Sequence, residues 1–184
     1  LIADLFDEAE HRTLTFWLSM LSLLITAVVV WVTAGEGRQV VFYGAYVADP
    51  LATILKLATI AMVGIAFLYA RDYLRANDLN KGEYYLLGLF GLLGMMIMMS
   101  SNSLLTMYLG LETLALSMYA LVAIDRNNVT AAESAMKYFV LGAIASGALL
   151  YGISWVYGVT GALQFDQIAA ALAADPGLNN LPLW

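Results

Sequence analysis

Long apolar runs, separated by short polar breaks, dominate the chain. They cover residues 14–32, 49–69, 84–100, 104–124 and 135–159, and residues 1–6 read as the end of a further run. A helix needs about 20 mainly apolar residues to cross a bilayer. The spacing therefore predicts membrane-spanning helices over these segments, with 84–100 the shortest. The break after 84–100 is so brief that it and 104–124 must form an antiparallel pair. Between the runs, "QVVFYGAY" at 39–46 is rich in strand formers and predicts a short strand or hairpin at the membrane surface. After the last long run, "FDQIAAALAA" predicts a helix over 166–174 with Asp166 as its N-cap, ended by "DPG". That helix is too short to cross and is expected to lie on the membrane.

Composition makes the class firm. The apolar fraction is 62% and the charged fraction 12%, against roughly 45–50% and 25% in soluble domains. Mean hydropathy is +0.79. The expected fold class is an all-α polytopic membrane protein, one transmembrane domain over residues 1–184. The opening "LIADLF" lacks both an initiator methionine and the basic leader of a signal peptide, and "NNLPLW" reads as the approach to another helix. These ends give the expectation of a fragment of a longer protein.

Charge adds orientation. Arg12, Arg71, Arg75, Lys81, Arg126 and Lys137 fall in or beside alternate loops, and the opposite loops hold only Arg38. The cation-rich loops should face the cytoplasm. Aromatic residues near the expected helix ends (Trp17, Trp31, Tyr69, Tyr73, Tyr84, Tyr85, Trp155 and Tyr157) suit the membrane interface. The net charge of −6 argues against nucleic acid as a partner. There is no cysteine, so no disulfide, thiolate metal site or iron–sulfur ligand set is expected. The lone histidine, His11, sits in the charged "DEAEHR" and reads as solvent-exposed rather than as a metal ligand.

Several apparent motifs reduce to packing. Gly88, Gly91 and Gly94 in "GLFGLLG" follow no strand and form no nucleotide loop; their spacing suggests a groove for close helix approach. The pairs Gly142/Ser146 and Ala143/Gly147 read the same way. "GMMIMMS" reads as adaptable apolar filling rather than a copper site. "NVT" at 128–130 matches a glycosylation sequon but falls on the cytoplasmic side of the expected topology.

Glu112 is the residue that packing explains least. It lies inside "LLTMYLGLETLALSMYAL", a stretch with no lysine, arginine or histidine. A charged group at mid-membrane costs roughly 2.5–3.5 kcal/mol or more, and such groups mark ion or proton pathways by default. Tyr108, four residues before, and Tyr119, seven after, share its helix side and can bond it or hold water near it. The alternative is a glutamate that pins two helices by a hydrogen bond, and the residues alone leave both open. Lys137 follows Glu133 by four residues and can pair with it; it is a second pathway candidate, with a snorkelling ammonium as the alternative. Lys56 reads as a snorkelling anchor. A buried lysine facing Glu112 is not evident in the chain.

Three segments, "DPLATILKL", "NDLNKGEYYLLGLFGLLGMMIMMSSNSLLTMYLGLETLALSMYALVA" and "AAESAMKYFVLGAIASGALLYGISWVYGVTG", carry a resemblance. They resemble the antiporter-like subunit N family of bacterial NADH:quinone oxidoreductase, respiratory complex I, whose mitochondrial counterpart is NADH dehydrogenase subunit 2. The resemblance runs from about residue 40 to the end. It implies the N-terminal part of a fourteen-helix fold made of two inverted five-helix repeats, each with a broken helix and half a proton channel. In that family a fifth-helix glutamate, here Glu112, pairs with a lysine on helix seven, and a sixth-helix lysine after "ES" falls on Lys137. Moving an ammonium relative to a buried carboxylate changes proton affinity without bond chemistry. The resemblance implies a proton-translocating subunit of an enzyme complex, with Glu112 and Lys137 on the pathway and Tyr108, Tyr119 and Glu133 in support. It implies no redox site, metal or cofactor in this chain, since NADH, FMN, iron–sulfur clusters and quinone belong to other subunits. Expected partners are the other membrane-arm subunits and lipid, in a bacterial cytoplasmic membrane, with the mitochondrial inner membrane second. A multisubunit sodium/proton antiporter shares the helix-five glutamate, and a structural membrane subunit is the third reading.

Overall fold

The computed structural model describes residues 13–35, 37–77, 79 and 82–174. The expected helix over 1–6, His11, Arg12, Lys81 and the "DPG" stop lie outside the described residues. The element order is α1 (Thr13–Val32), β1 (Gln39–Val41), β2 (Tyr46–Ala48), α2 (Pro50–Ala76), α3 (Gly82–Met99), α4 (Leu104–Val122), α5 (Val129–Thr160) and α6 (Phe165–Ala174). The first four α-helices and α5 are each long and apolar enough to cross a membrane. Their polar backbone is satisfied within each helix, which is what lipid requires of a spanning segment.

Helix boundaries follow local chemistry and run past the apolar stretches. Asp49 caps α2 by accepting from Ala52 N at 2.6 Å, and Pro50 takes the first helical position. At its far end α2 continues seven residues beyond the expected 69, through Arg71, Asp72 and Arg75, to Ala76. Asn128 caps α5 through Thr130 N and Ala131 N, so this helix begins six residues before the expected 135. Glu133 and Lys137 accordingly sit inside it. Gly161, at φ 67, closes α5 in the left-handed conformation that favours glycine. The expected N-cap role of Asp166 is overturned. It lies within the first turn of α6, and its carboxylate instead accepts from Arg38 at 3.1 Å and from Asn102 at 3.3 Å.

β1 and β2 pair antiparallel, with Gln39 opposite Ala48 and Val41 opposite Tyr46. The hairpin packs on the turn between α3 and α4: Val47 N donates to Ser100 O at 2.8 Å, and Asn102 N to Ala45 O at 2.9 Å. Leu104 N donates to Leu163 O, which brings the end of α5 to the same place. The hairpin, the α3–α4 turn and the start of α6 therefore form one end of the bundle. Arg126, whose Nη2 donates to both Glu83 carboxylate oxygens at 2.9 and 3.1 Å, marks the other end.

The core joins α1, α2 and α3. Phe16, Leu23, Ile60, Phe67, Leu74, Tyr85 and Leu92 are buried together. Tyr85, expected at the interface, is instead 1% exposed, edge-on to Phe16 and Phe67 at 5.6 and 5.3 Å. The glycine groove of α3 is also divided. A Cβ at Gly88 would meet the Phe67 ring on α2 at 2.5 Å, whereas one at Gly94 would meet Gly110 O and Leu114 N on α4 at 2.6 Å. Three-residue steps rotate around a helix of 3.6 residues per turn, so the glycines serve two neighbours. The α3–α4 pair is antiparallel and in backbone contact, as the short link requires.

Candidate site: a carboxylate in a cleft between two membrane helices

Glu112 lies midway along α4, about two and a half turns in from Ser103, the α4 N-cap. It is half-buried, on the side of α4 that faces α5. An open cleft of about 540 Å³ separates the two helices here. Its α4 wall includes Glu112, Ala115, Met118 and Tyr119, and its α5 wall includes Tyr138, Gly142, Ala145 and Ser146. Small residues on α5 leave the space that larger ones would fill.

Ser146 Oγ donates to Glu112 Oε1. Tyr108 Oη lies 2.9 Å from Ser146 Oγ. The serine has one proton and gives it to the carboxylate, so Tyr108 donates to the serine oxygen. The three groups form a hydrogen-bonded chain across two helices, and its acidic end opens into the cleft. Such a chain orients a carboxylate and can pass a proton along its length.

The other residues expected at the site fall at varying distances from this chain. Tyr108 joins it through Ser146 rather than by direct contact. Tyr119 lines the same cleft without bonding Glu112. Its ring stands edge-on to Tyr138 at 4.8 Å and to Phe139 at 5.6 Å, and its hydroxyl fills the notch at Gly142, where a Cβ would lie 1.8 Å away. Lys137 Nζ pairs with Glu133 Oε1 at 2.5 Å on the exposed surface of α5. It is not brought to Glu112. Nine residues separate Lys137 from Ser146, which is half a turn around the helix and about 14 Å along it. Ser146 itself was legible only as a small packing residue; its four-residue spacing from Gly142 was the signal, and its hydroxyl was the part not used. Among the described residues, no group of three histidine, aspartate or glutamate side chains is placed to hold a metal.

Lys56 departs most from expectation. The sequence predicts a snorkelling anchor, yet the side chain is buried, 7% exposed. Its Nζ donates to Tyr46 Oη at 2.6 Å and sits 4.9 Å from that ring's centroid. The hairpin folds over the end of α2 and covers the ammonium, so its charge does not reach out to the membrane surface.

The family described as "NADH:quinone oxidoreductase/Mrp antiporter, TM" matches residues 101–183, which include Glu112, Lys137 and Ser146. NADH-quinone oxidoreductase subunit N of Thioalkalivibrio sulfidiphilus is 48% identical over 183 residues, covering 100% of this chain and 38% of that protein. The subunit N of Alkalilimnicola ehrlichii is 49% identical over 180 residues, 98% of this chain and 37% of the relative. The chain thus spans between a third and two fifths of the length of these relatives. Among solved structures, respiratory complex I from Thermus thermophilus superposes with a TM-score of 0.68 at 29% identity, over 86% of this chain and 36% of that one. An archaeal respiratory membrane complex, the membrane-bound sulfane sulfur reductase, superposes with a TM-score of 0.74 at 26% identity, over 96% and 38%. In sequence across its whole length, and in its mostly helical, multi-pass membrane architecture, the chain is similar to the antiporter-like subunit N of bacterial NADH-quinone oxidoreductase.

Proposed function

We propose that this chain is part of a proton-translocating membrane-arm subunit of an NADH:quinone oxidoreductase, and that Glu112 holds the moving proton. The observation that carries this reading is the Tyr108–Ser146–Glu112 chain, which ends at a carboxylate half-buried between two membrane helices. A carboxylate kept at such cost and joined to a hydroxyl relay is suited to taking up and releasing a proton. Lys137 serves as a second proton-holding group on α5, held by Glu133, and Tyr119 bounds the cleft. The redox chemistry belongs to other subunits, and this chain binds no NADH, flavin, iron–sulfur cluster or quinone. It acts with the other membrane-arm subunits in a bacterial cytoplasmic membrane. The resemblance to multisubunit sodium/proton antiporters favours a second reading, in which the same carboxylate exchanges ions without a redox partner; co-purification with peripheral redox subunits separates the two.

The test is Glu112→Gln against Glu112→Asp in the full-length subunit of the assembled complex. Gln keeps the shape and hydrogen-bonding capacity and loses the titrating charge; Asp keeps the charge with a shorter reach. NADH-driven proton uptake into vesicles should fall for Gln at matched assembly, with Asp retaining more. If Glu112 is only packing glue, Gln pumps at the wild-type rate.

A further inference from the structure

Lys56 is a buried membrane cation that the Glu112 pathway does not use. It lies at the end of the second turn of α2 and is 7% exposed. Among the described residues no carboxylate forms an ion pair with it; its hydrogen-bond acceptor is the Tyr46 hydroxyl of the hairpin, at 2.6 Å. A cation held within a membrane bundle without a counter-charge is a functional group before it is a packing group. The surface anchor expected of a lysine at this depth would reach outward instead.

Ser100, beside the Tyr46 hydroxyl, links this cation and its tyrosine to a polar cavity that neither of them lines. The hairpin places Tyr46 opposite Ser101, and Ser100 lies beside the tyrosine hydroxyl. Ser100 and Ser101 also line a cavity of about 280 Å³ whose polar wall includes Arg38, Asp49 and Asn102. That volume has room for several water molecules. Arg38 and Asp49 are the charged groups at this cavity. Arg38 is engaged by Asp166, and Asp49 is engaged by the α2 cap. Burial pushes the Tyr46 hydroxyl up, but the hydrogen bond from Lys56, the neighbouring Ser100 hydroxyl and the ammonium charge outweigh it and leave the group below the ordinary tyrosine value.

We propose that Lys56 and Tyr46 form a second proton-binding pair at the hairpin end of the bundle, exchanging protons with water in the Arg38–Asp49–Asn102 cavity. In the step, one N–H proton of the ammonium passes to Tyr46 Oη, the tyrosine's own proton passes to Ser100 Oγ, and the serine's proton passes to a cavity water. Lys56 is left neutral and Tyr46 remains a phenol. The reverse step reloads the amine. The pair lies on α2 and the hairpin, away from the α4–α5 cleft, so it serves a different stage of transfer from Glu112. This inference rests on the reading that the chain moves protons.

The experiment uses the full-length subunit in the assembled complex, with subunit yield measured first. Lys56→Met removes the proton-binding nitrogen and keeps the apolar stem. Lys56→Arg keeps a donor and a charge, but a guanidinium does not release its proton in a protein. Tyr46→Phe keeps the ring over the cation and deletes the relay hydroxyl. All three should oxidise NADH with fewer protons taken up per NADH, Lys56→Met and Lys56→Arg most strongly. A purely structural lysine predicts that Lys56→Arg, which restores charge and hydrogen bond, pumps normally, and that result overturns the proposal. If Lys56→Arg does not assemble, Lys56→Met decides; if neither assembles, Tyr46→Phe decides, and normal coupling in the deciding variant overturns the pair. Glu112→Gln is measured alongside. Normal Lys56 and Tyr46 variants beside a defective Glu112→Gln remove the Lys56 pair alone, whereas defective Lys56 variants beside a normal Glu112→Gln remove Glu112 and leave the pair standing.

Discussion

At the scale of single residues, the site depends on a hydroxyl that periodicity does not single out. Glu112 is visible in the sequence because a lone acid in an apolar stretch violates the pattern around it. Ser146 violates nothing, since small residues are ordinary on membrane helices. Its hydroxyl nevertheless makes the direct bond to the carboxylate and couples it to Tyr108. Ser146→Ala should therefore leave the complex assembled and reduce coupled proton uptake, with Ser146→Thr retaining more because it restores the donor. An unmet buried acceptor costs about 1–3 kcal/mol, which is small beside the stability of the bundle and large for the orientation of one side chain. Wild-type uptake by the Ala variant would separate the serine from function. Tyr108→Phe removes only the outer link and should have the milder effect.

At the scale of elements, the tightest constraint is the α3–α4 approach. Gly94 and Gly110 face each other so closely that a Cβ on either would lie under 3 Å from backbone atoms of the partner helix. Backbone cannot move aside as a side chain can. Gly94→Ala should thus cost about 1–3 kcal/mol of packing and lower the yield of assembled subunit. Gly91→Ala meets the flexible Met118 terminus at 3.3 Å and should be near wild type. Equal yields for the two variants would remove the close-contact account. A second element-level prediction concerns the start of α2. Asp49→Ala loses the bond to Ala52 N and should destabilise this helix by about 1 kcal/mol, read as a lower melting temperature of the detergent-solubilised complex. Helix existence and length were legible in the sequence, because the apolar runs have the length that a bilayer sets. Helix ends were less so: α2 and α5 extend past their apolar stretches, on polar residues that helix geometry accepts once they lie outside the hydrocarbon.

At the scale of the whole molecule, the described loops sort into two ends. Tyr43, at the tip of the hairpin, is fully exposed at the end that carries Arg38, and Arg71, Arg75 and Arg126 lie toward the opposite end. The positive-inside rule then places the hairpin outside. These 184 residues hold no cysteine, and single cysteines introduced here into a cysteine-free background of the full-length subunit report sidedness. Tyr43→Cys should react with an impermeant maleimide in cells whose outer membrane has been opened, and Arg75→Cys only after the cytoplasmic membrane is permeabilised. The reverse pattern would invert the topology. Class, helix number among the described segments, the antiparallel α3–α4 pair, the hairpin and the suspicion attached to Glu112 all follow from the sequence by itself. Each depends on neighbours along one chain segment and on the cost of leaving polar groups in lipid. The rotation of one helix against another was decided only in the tertiary structure. It set Ser146 rather than a tyrosine on Glu112, turned Lys137 to the far side of α5, split the glycines of α3 between two partners and closed the hairpin over Lys56. Those pairings join residues tens of positions apart or across a fold-back, and local periodicity states which face a residue occupies but not which neighbour that face will meet.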